Sequence, residues 1–174
     1  MGVPCGDLSD GYNTSQDYYQ FMSSGLLRSI RLSEPYLHSP VDDLESFYYT
    51  LQREAVDYEG SDASKPKTDD LEALRVGLSG SADDRFQATL FVHRIRPSDR
   101  EDVQKFGAFL ARLQPVLKEW YPSILGLVKS WRTVRNGVDE TNTSGYYIRH
   151  ALVFAYRGVA DYLKIVHAHR ESLA

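Results

Sequence analysis

The side chains in this chain that could do chemistry are a helical serine, a pair of carboxylates and five histidines. A serine is a nucleophile only where a base activates it. Ser46 lies inside a predicted helix and lacks the Gly-x-Ser-x-Gly setting, so we interpret it as a small residue that allows close packing. His167 and His169 are two positions apart, and a helix would send them to different faces. The remaining histidines have no Cys or carboxylate set at metal-ligating spacing: His38, His93 and His150. The sequence therefore predicts no catalytic residue and no metal site.

The carboxylate pair opens the most informative segment, residues 38–51 (HSPVDDLESFYYTL). Ser39 has the type and position of an N-cap, and Pro40 suits the first helical position. Asp42 follows Ser39 by three residues, which approximates a capping box, and Asp43 adds charge to the first turn. An apolar face follows at helical spacing: Leu44, Phe47, Tyr48 and Leu51. The pattern predicts a largely buried helix, and we expect one of the two carboxylates to be drawn inside and hydrogen-bonded by donors.

The same segment resembles the central C-lobe helix of the fungal-type protein kinase family. The matching residues are His38, Asp42, Asp43, Leu44, Glu45, Ser46, Phe47, Tyr48, Tyr49 and Leu51. In kinases the Asp of this helix accepts backbone N–H groups from the catalytic loop. The resemblance implies that Asp43 is this structural anchor, on a helix that also carries Ser46.

A second match precedes the helix and resembles the end of a kinase activation segment. It comprises Tyr19, Gln20, Phe21, Met22 and Ser23, with two leucines shortly after. Two positions depart from the family pattern. The run 16–18 is Gln-Asp-Tyr where the family has a Thr-Gly-Thr-like run, and Gly25 replaces an expected Glu. The resemblance covers residues 19–51.

The groups with which kinases handle phosphate are not found in the sequence. A kinase needs a Gly-rich loop, a strand Lys, a catalytic-loop Asp, an Asn and an Asp-Phe-Gly motif. Three runs resemble these only superficially, and we interpret them as ordinary loop or helix residues: 77–80 (GLSG), 93–95 (HRI) and 105–107 (KFG). Because only 37 residues precede His38, the expectation is a C-lobe with its N-terminal lobe absent.

Three functions stay open at this point. The first is a partial fungal-type kinase-like domain that cannot bind ATP or phosphorylate a substrate on its own. The second is the back half of an active Ser/Thr protein kinase, for which ATP and Mg²⁺ would be cofactors held by a missing N-terminal half. The third is an unrelated all-helical interaction protein. No cofactor is predicted for this chain itself.

Composition limits the partners and the compartment. The 174 residues are 42% hydrophobic and 12% aromatic, which is typical of one globular domain. A net charge of −4 without a basic stripe argues against nucleic-acid binding. No apolar run could span a bilayer, and no secretory signal precedes the domain. We expect an intracellular protein in the cytoplasm or the nucleus. The partner is not identified, and a protein is one class that stays open.

The chain is predicted to be mainly α, with a flexible leader over 1–17 and a C-lobe-like domain over 18–174. A flexible insertion is predicted at 57–70, although Thr68 could cap a short helix over 69–76. Residues 86–92 suit a strand or a helix equally. The final helix is predicted at 145–171.

The middle of the second half carries capping and breaking signals. Ser98 with Glu101 predicts a capping box, and Pro115 and Pro122 are expected to break or kink the helices that follow. Trp120 and Trp131 are eleven residues apart, about three helical turns, so a continuous helix would place them on one face. We interpret them as core or interface residues.

Overall fold

A computed structural model describes residues 39–61, 68–136 and 143–173, and within these residues the chain is helical without a strand. The helices are α1 (Pro40–Ser61), α2 (Asp69–Ser79), α3 (Ala82–Val92), α4 (Arg100–Phe106), α5 (Ala108–Asn136), α6 (Thr143–Ala168) and α7 (Arg170–Leu173). The mainly α prediction is confirmed for this part of the chain. The predicted leader at 1–17, the segment 19–23 and His38 lie outside the described residues.

Helix α1 is the centre of the packing, as its apolar pattern predicts. It lies against α5, α6 and α2, while α2 packs on α3. The larger core cluster includes Tyr48, Val56, Leu78, Leu117 and Trp120, each almost completely buried. A smaller cluster lies at the start of α1 and joins it to α5 and α6: Val41, Leu127, Trp131 and Ala151. The interpretation of both tryptophans as packing residues is confirmed.

Arg53 holds the end of α2 against α1. Its guanidinium donates to the Arg75 carbonyl at 2.5 Å and also to the Ser79 hydroxyl. The same side chain pairs with Asp57 through an Nε–Oδ2 distance of 2.6 Å. Cations stabilise the negative end of a helix dipole, so this buried arginine acts as a C-terminal cap for a neighbouring helix.

The prediction that Pro115 and Pro122 do not lie within a helix is wrong, because α5 continues through both of them. It runs from Ala108 to Asn136 with Pro115 and Pro122 inside it. Each proline removes one N–H donor to the carbonyl four residues earlier. Burial of Leu110, Leu117 and Ile124 along one face offsets that loss, because most helix stability in proteins comes from packing.

The other boundaries differ from the sequence in small ways. Thr68 caps α2 as predicted, with the Leu71 N–H donating to its hydroxyl at 3.2 Å. The undecided stretch 86–92 is helical, and a capping box between Ser81 and Asp84 begins it. The predicted box at Ser98 is wrong, since the N-cap of α4 is Asp99.

The predicted insertion at 57–70 is helical at both of its ends. Helix α1 continues through Ser61, and α2 begins at Asp69. Residues 62–67, in its middle, lie outside the described part of the chain.

Two glycines in the long helices give a matched test of close packing. A Cβ at Gly158 on α6 would collide with Leu44, and it would lie 2.9 Å from the Leu127 Cδ1. A Cβ at Gly126 on α5 would meet nothing within 4 Å. We expect Gly158→Ala to lower the free energy of unfolding by about 1–3 kcal/mol, since overpacking displaces neighbours. Gly126→Ala should raise it by about 0.4–1 kcal/mol, by restricting the unfolded chain.

Urea denaturation followed by circular dichroism measures both values. Equal losses in the two variants would contradict the close approach of α6 to α1 and α5 at Gly158.

Candidate functional site

The two carboxylates at the start of α1 have opposite environments. Asp42 is buried at 5% exposure, whereas Asp43 is exposed. The Ser39 backbone N–H and hydroxyl both donate to the Asp42 Oδ2 at 2.8 Å. The expectation that one carboxylate is drawn inside is confirmed, and the buried one is Asp42. Asp43, matched to the kinase anchor, is exposed in the first turn of α1.

A buried group of ionisable side chains lies further along α1. Glu45 is 3% exposed and Arg85, on α3, is 1% exposed. The Arg85 Cζ lies 4.5 Å from the centre of the Tyr49 ring, which is a cation–π distance. Burial lowers the pKa of Arg85, while Tyr49 and Glu45 raise it. Burial, and then the charge of Glu45, raises the pKa of Tyr49 well above its usual value. Glu45, Tyr49 and Arg85 form a buried cluster, which we call the Arg85 cluster.

A cleft of about 580 Å³ opens beside the Arg85 cluster. Helix α1 supplies Glu45 and Tyr49 to its lining, and α3 supplies Asp83 and Phe86. Helix α5 forms the other wall: Tyr121, Leu125, Val128, Lys129, Arg132 and Thr133. The cleft has aromatic walls, basic side chains on the α5 side and one acid on the α3 side. Such a surface can bind a ligand, but it brings together no nucleophile with an activating base.

His93 is hydrogen-bonded to Tyr48, the residue that precedes Tyr49 on α1. Its Nε2 lies 3.0 Å from the Tyr48 hydroxyl, and that hydroxyl also donates to the Leu117 carbonyl at 3.3 Å. The Gln114 side chain donates to the His93 carbonyl at 2.8 Å. Burial, and secondarily the charge of Lys118, lowers the pKa of His93 below its ordinary value of 6.5. The histidine is therefore a packed, hydrogen-bonded residue rather than a metal ligand.

The lowered pKa of His93 predicts a pH dependence of stability. The folded protein binds this proton less readily than the unfolded chain, so the stabilising contribution is complete above pH 6.5 and declines as the pH falls below it. We expect the urea midpoint of the native chain to drop between pH 7.5 and pH 5, and His93→Gln to reduce that drop. An identical pH profile in the variant would contradict the assignment.

The remaining predicted residues have ordinary structural roles. Ser46 is half-buried, and its carbonyl accepts a hydrogen bond from the Thr50 hydroxyl at 2.8 Å. His169 pairs with Glu119 through an Nε2–Oε2 distance of 2.8 Å, and His167 is exposed. Within the described ranges, no three His, Cys, Asp or Glu side chains are grouped as they would be around a metal ion.

The runs that resemble kinase phosphate-handling motifs serve helix packing and helix ends. Gly77 lets α2 approach α3, since a Cβ there would lie 3.0 Å from the Ala88 Cβ. Lys105 pairs with Asp70 at 2.6 Å, and Gly107 ends α4 with a φ of 89°. His93 begins the turn after α3.

Sequence reasoning missed the position of Arg85. Arg85, Ala88, Thr89 and Val92 recur at helical spacing, and all four are buried. That period was the available signal, but a charged residue in such a pattern is usually assigned to the solvent.

In the described residues, fold and site together define a helical domain with the buried Arg85 cluster beside an amphipathic cleft. No protein-family model, curated protein or solved structure matches the chain. In the part of the chain that the structure describes, no helix combines the length and apolar character needed to cross a bilayer.

Proposed function

We propose that this chain is a kinase C-lobe-like helical domain that does not bind ATP or transfer phosphate by itself. The observation that carries the proposal is the exposure of Asp43 at the end of α1. In the kinases that the segment resembles, this carboxylate receives backbone N–H groups of a catalytic loop. Here it is exposed in the first turn of the helix, while the neighbouring Asp42 accepts the Ser39 backbone N–H.

The chemistry of the buried groups supports the same proposal. Glu45 and Arg85 act on each other and on Tyr49, and Asp42 accepts from Ser39. Groups held in this way stabilise helices and fix their register, and they lie apart from any activated nucleophile in the described residues. The domain is therefore proposed to act through its surfaces.

A phosphotransfer assay tests the proposal directly. The purified full chain is incubated with Mg²⁺ and γ-labelled ATP, with casein and myelin basic protein as substrates. We expect no label in either substrate or in the chain, and no rise in melting temperature with Mg²⁺–ATP. Label transfer by the chain would overturn the proposal. Loss of that transfer in Asp43→Asn, but not in Glu54→Gln, would show that the activity belongs to the chain and not to a contaminating kinase. Glu54 is an exposed carboxylate on the same helix and serves as the matched control.

The second candidate is the back half of an active Ser/Thr kinase. The resemblance of residues 19–23 to an activation segment favours it, because that segment has a role only beside a catalytic loop. Sequencing the 5′ end of the transcript separates the two candidates. Upstream coding sequence with a Gly-rich loop, a strand Lys and Asp-Phe-Gly would establish the kinase, and ATP and Mg²⁺ would then bind to that half.

A further inference from the structure

The outer face of α6 is apolar and exposed along much of its length. Its exposed large side chains are Leu152 (48%), Val153 (65%), Tyr156 (76%), Val159 (45%) and Leu163 (58%). Leu152, Tyr156, Val159 and Leu163 are spaced four, three and four residues apart, and we call these four the α6 stripe. The opposite face of the helix packs on α1 and α5, with Ala151 and Ile165 buried. A stripe at this spacing is the pattern of a helix that contacts another helix.

Charge on the exposed side of α6 is of one sign. Arg149, Arg157 and Lys164 are exposed there. The one acid between 149 and 168 is Asp161, which is half-buried and accepts a hydrogen bond from the Ser123 hydroxyl at 3.0 Å. Arg157 and Lys164 are seven residues apart, so they lie on the same flank of the stripe. An apolar stripe with a basic flank therefore lies on a chain whose net charge is −4.

We propose that the α6 stripe docks an acidic amphipathic helix of another protein. Side chains at the four-three spacing can pack against the apolar side chains of a partner helix. The stripe is about 16 Å long at 1.5 Å per residue, or three helical turns. Arg157 and Lys164 would face carboxylates on one edge of the partner, which fixes its orientation and speeds its association. A bilayer surface would favour basic side chains on both flanks of the stripe, and only one flank carries them. This inference goes beyond the proposed function and does not depend on the kinase resemblance.

A pair of synthetic peptides tests charge complementarity. Both are fluorescein-labelled helices of about three heptads with Leu at a and d positions, one with Glu and the other with Lys at e and g. Fluorescence anisotropy with the full chain at low salt measures the two dissociation constants. We expect the Glu peptide to bind at least about tenfold more tightly than the Lys peptide.

Variants of the chain locate the binding surface. Leu163→Ser should weaken the Glu peptide by about tenfold or more, while Val76→Ser on α2 should leave its affinity unchanged. Val76 is the matched control because it is 60% exposed and lies far from α6 in sequence. The double reversal Arg157→Glu with Lys164→Glu should invert the preference between the two peptides. All these positions are exposed, and unchanged thermal melting confirms that the variants fold.

Five results would overturn the proposal. They are equal affinity for the two peptides, absence of binding to both, and a peptide affinity that Leu163→Ser does not change. The fourth is a chain that binds neither peptide but binds vesicles containing phosphatidylserine, and loses that binding in Leu163→Ser. This result would assign the stripe to a membrane surface. Sedimentation of the native chain as a dimer that Leu163→Ser disperses would assign it to a second copy, and would equally overturn the partner named here.

Discussion

Trp120→Ala should lower the free energy of unfolding by about 3–5 kcal/mol, the usual cost of removing a large aromatic side chain from a core. Trp120 has no exposed surface, and aromatic rings surround it. Its ring centre lies 5.3 Å from that of Tyr48 and 4.4 Å from that of Tyr162. These contacts join α1, α5 and α6, so the cavity left by alanine would loosen three helices at once.

Urea denaturation of the native chain and of the Trp120→Ala variant measures this loss. Trp131, the second of two tryptophans in the chain, supplies the fluorescence signal after Trp120 is removed. Tyr156→Ala is the control: its side chain is 76% exposed, and its removal should change stability by less than about 0.5 kcal/mol. Comparable small losses in the two variants would show that Trp120 is not at the centre of the core.

Arg85→Ala should also be strongly destabilising, by about 3–5 kcal/mol, because it leaves an uncompensated charge in the interior. The substitution removes the cation that lies over the Tyr49 ring. It also removes the positive charge that interacts favourably with the buried Glu45 carboxylate. The lost side chain also leaves a cavity between α1 and α3. Urea midpoints at pH 7 measure the effect.

A double-mutant cycle with Glu45→Gln identifies the cause. If the buried carboxylate accounts for the loss, then Arg85→Ala with Glu45→Gln will be less destabilised than the sum of the two single variants. Additive losses would mean that packing alone accounts for the effect of Arg85→Ala. Arg132→Ala provides a cationic control, since Arg132 lines the cleft but is exposed.

Local signals predicted the starts of α1 and α2 but not those of α3 and α4, and they predicted the interior of α5 less well. The Thr68 hydroxyl accepts the Leu71 N–H, and the Asp42 carboxylate accepts the Ser39 N–H. Each bond spans three residues, and the sequence displays that spacing directly. The continuity of α5 through Pro115 and Pro122 depends on packing against α1 and α6, which are distant in sequence. A proline rule based on local hydrogen bonds cannot include that contribution.

The candidate site shows the same division. The sequence predicted that one first-turn carboxylate of α1 would be buried, but it could not choose between Asp42 and Asp43. Neighbouring residues differ by about 100° around a helix, so the choice depends on how α1 is rotated against its neighbours. Arg85 was missed for the same reason. Its burial requires α1 to cover it, and its cation–π contact is with a residue on that distant helix.

Helix α5 has a consequence for how the domain opens. Leu117 and Ile124 belong to the larger core cluster, Leu127 and Trp131 belong to the smaller one, and Val128 packs against both. Unfolding one half of a continuous helix breaks the hydrogen bonds across the junction, and here it would also separate Val128 from one of its two clusters. The backbone amides of α5 between Leu117 and Trp131 should therefore exchange with solvent deuterium as a single unit, at a rate set by opening of the whole domain.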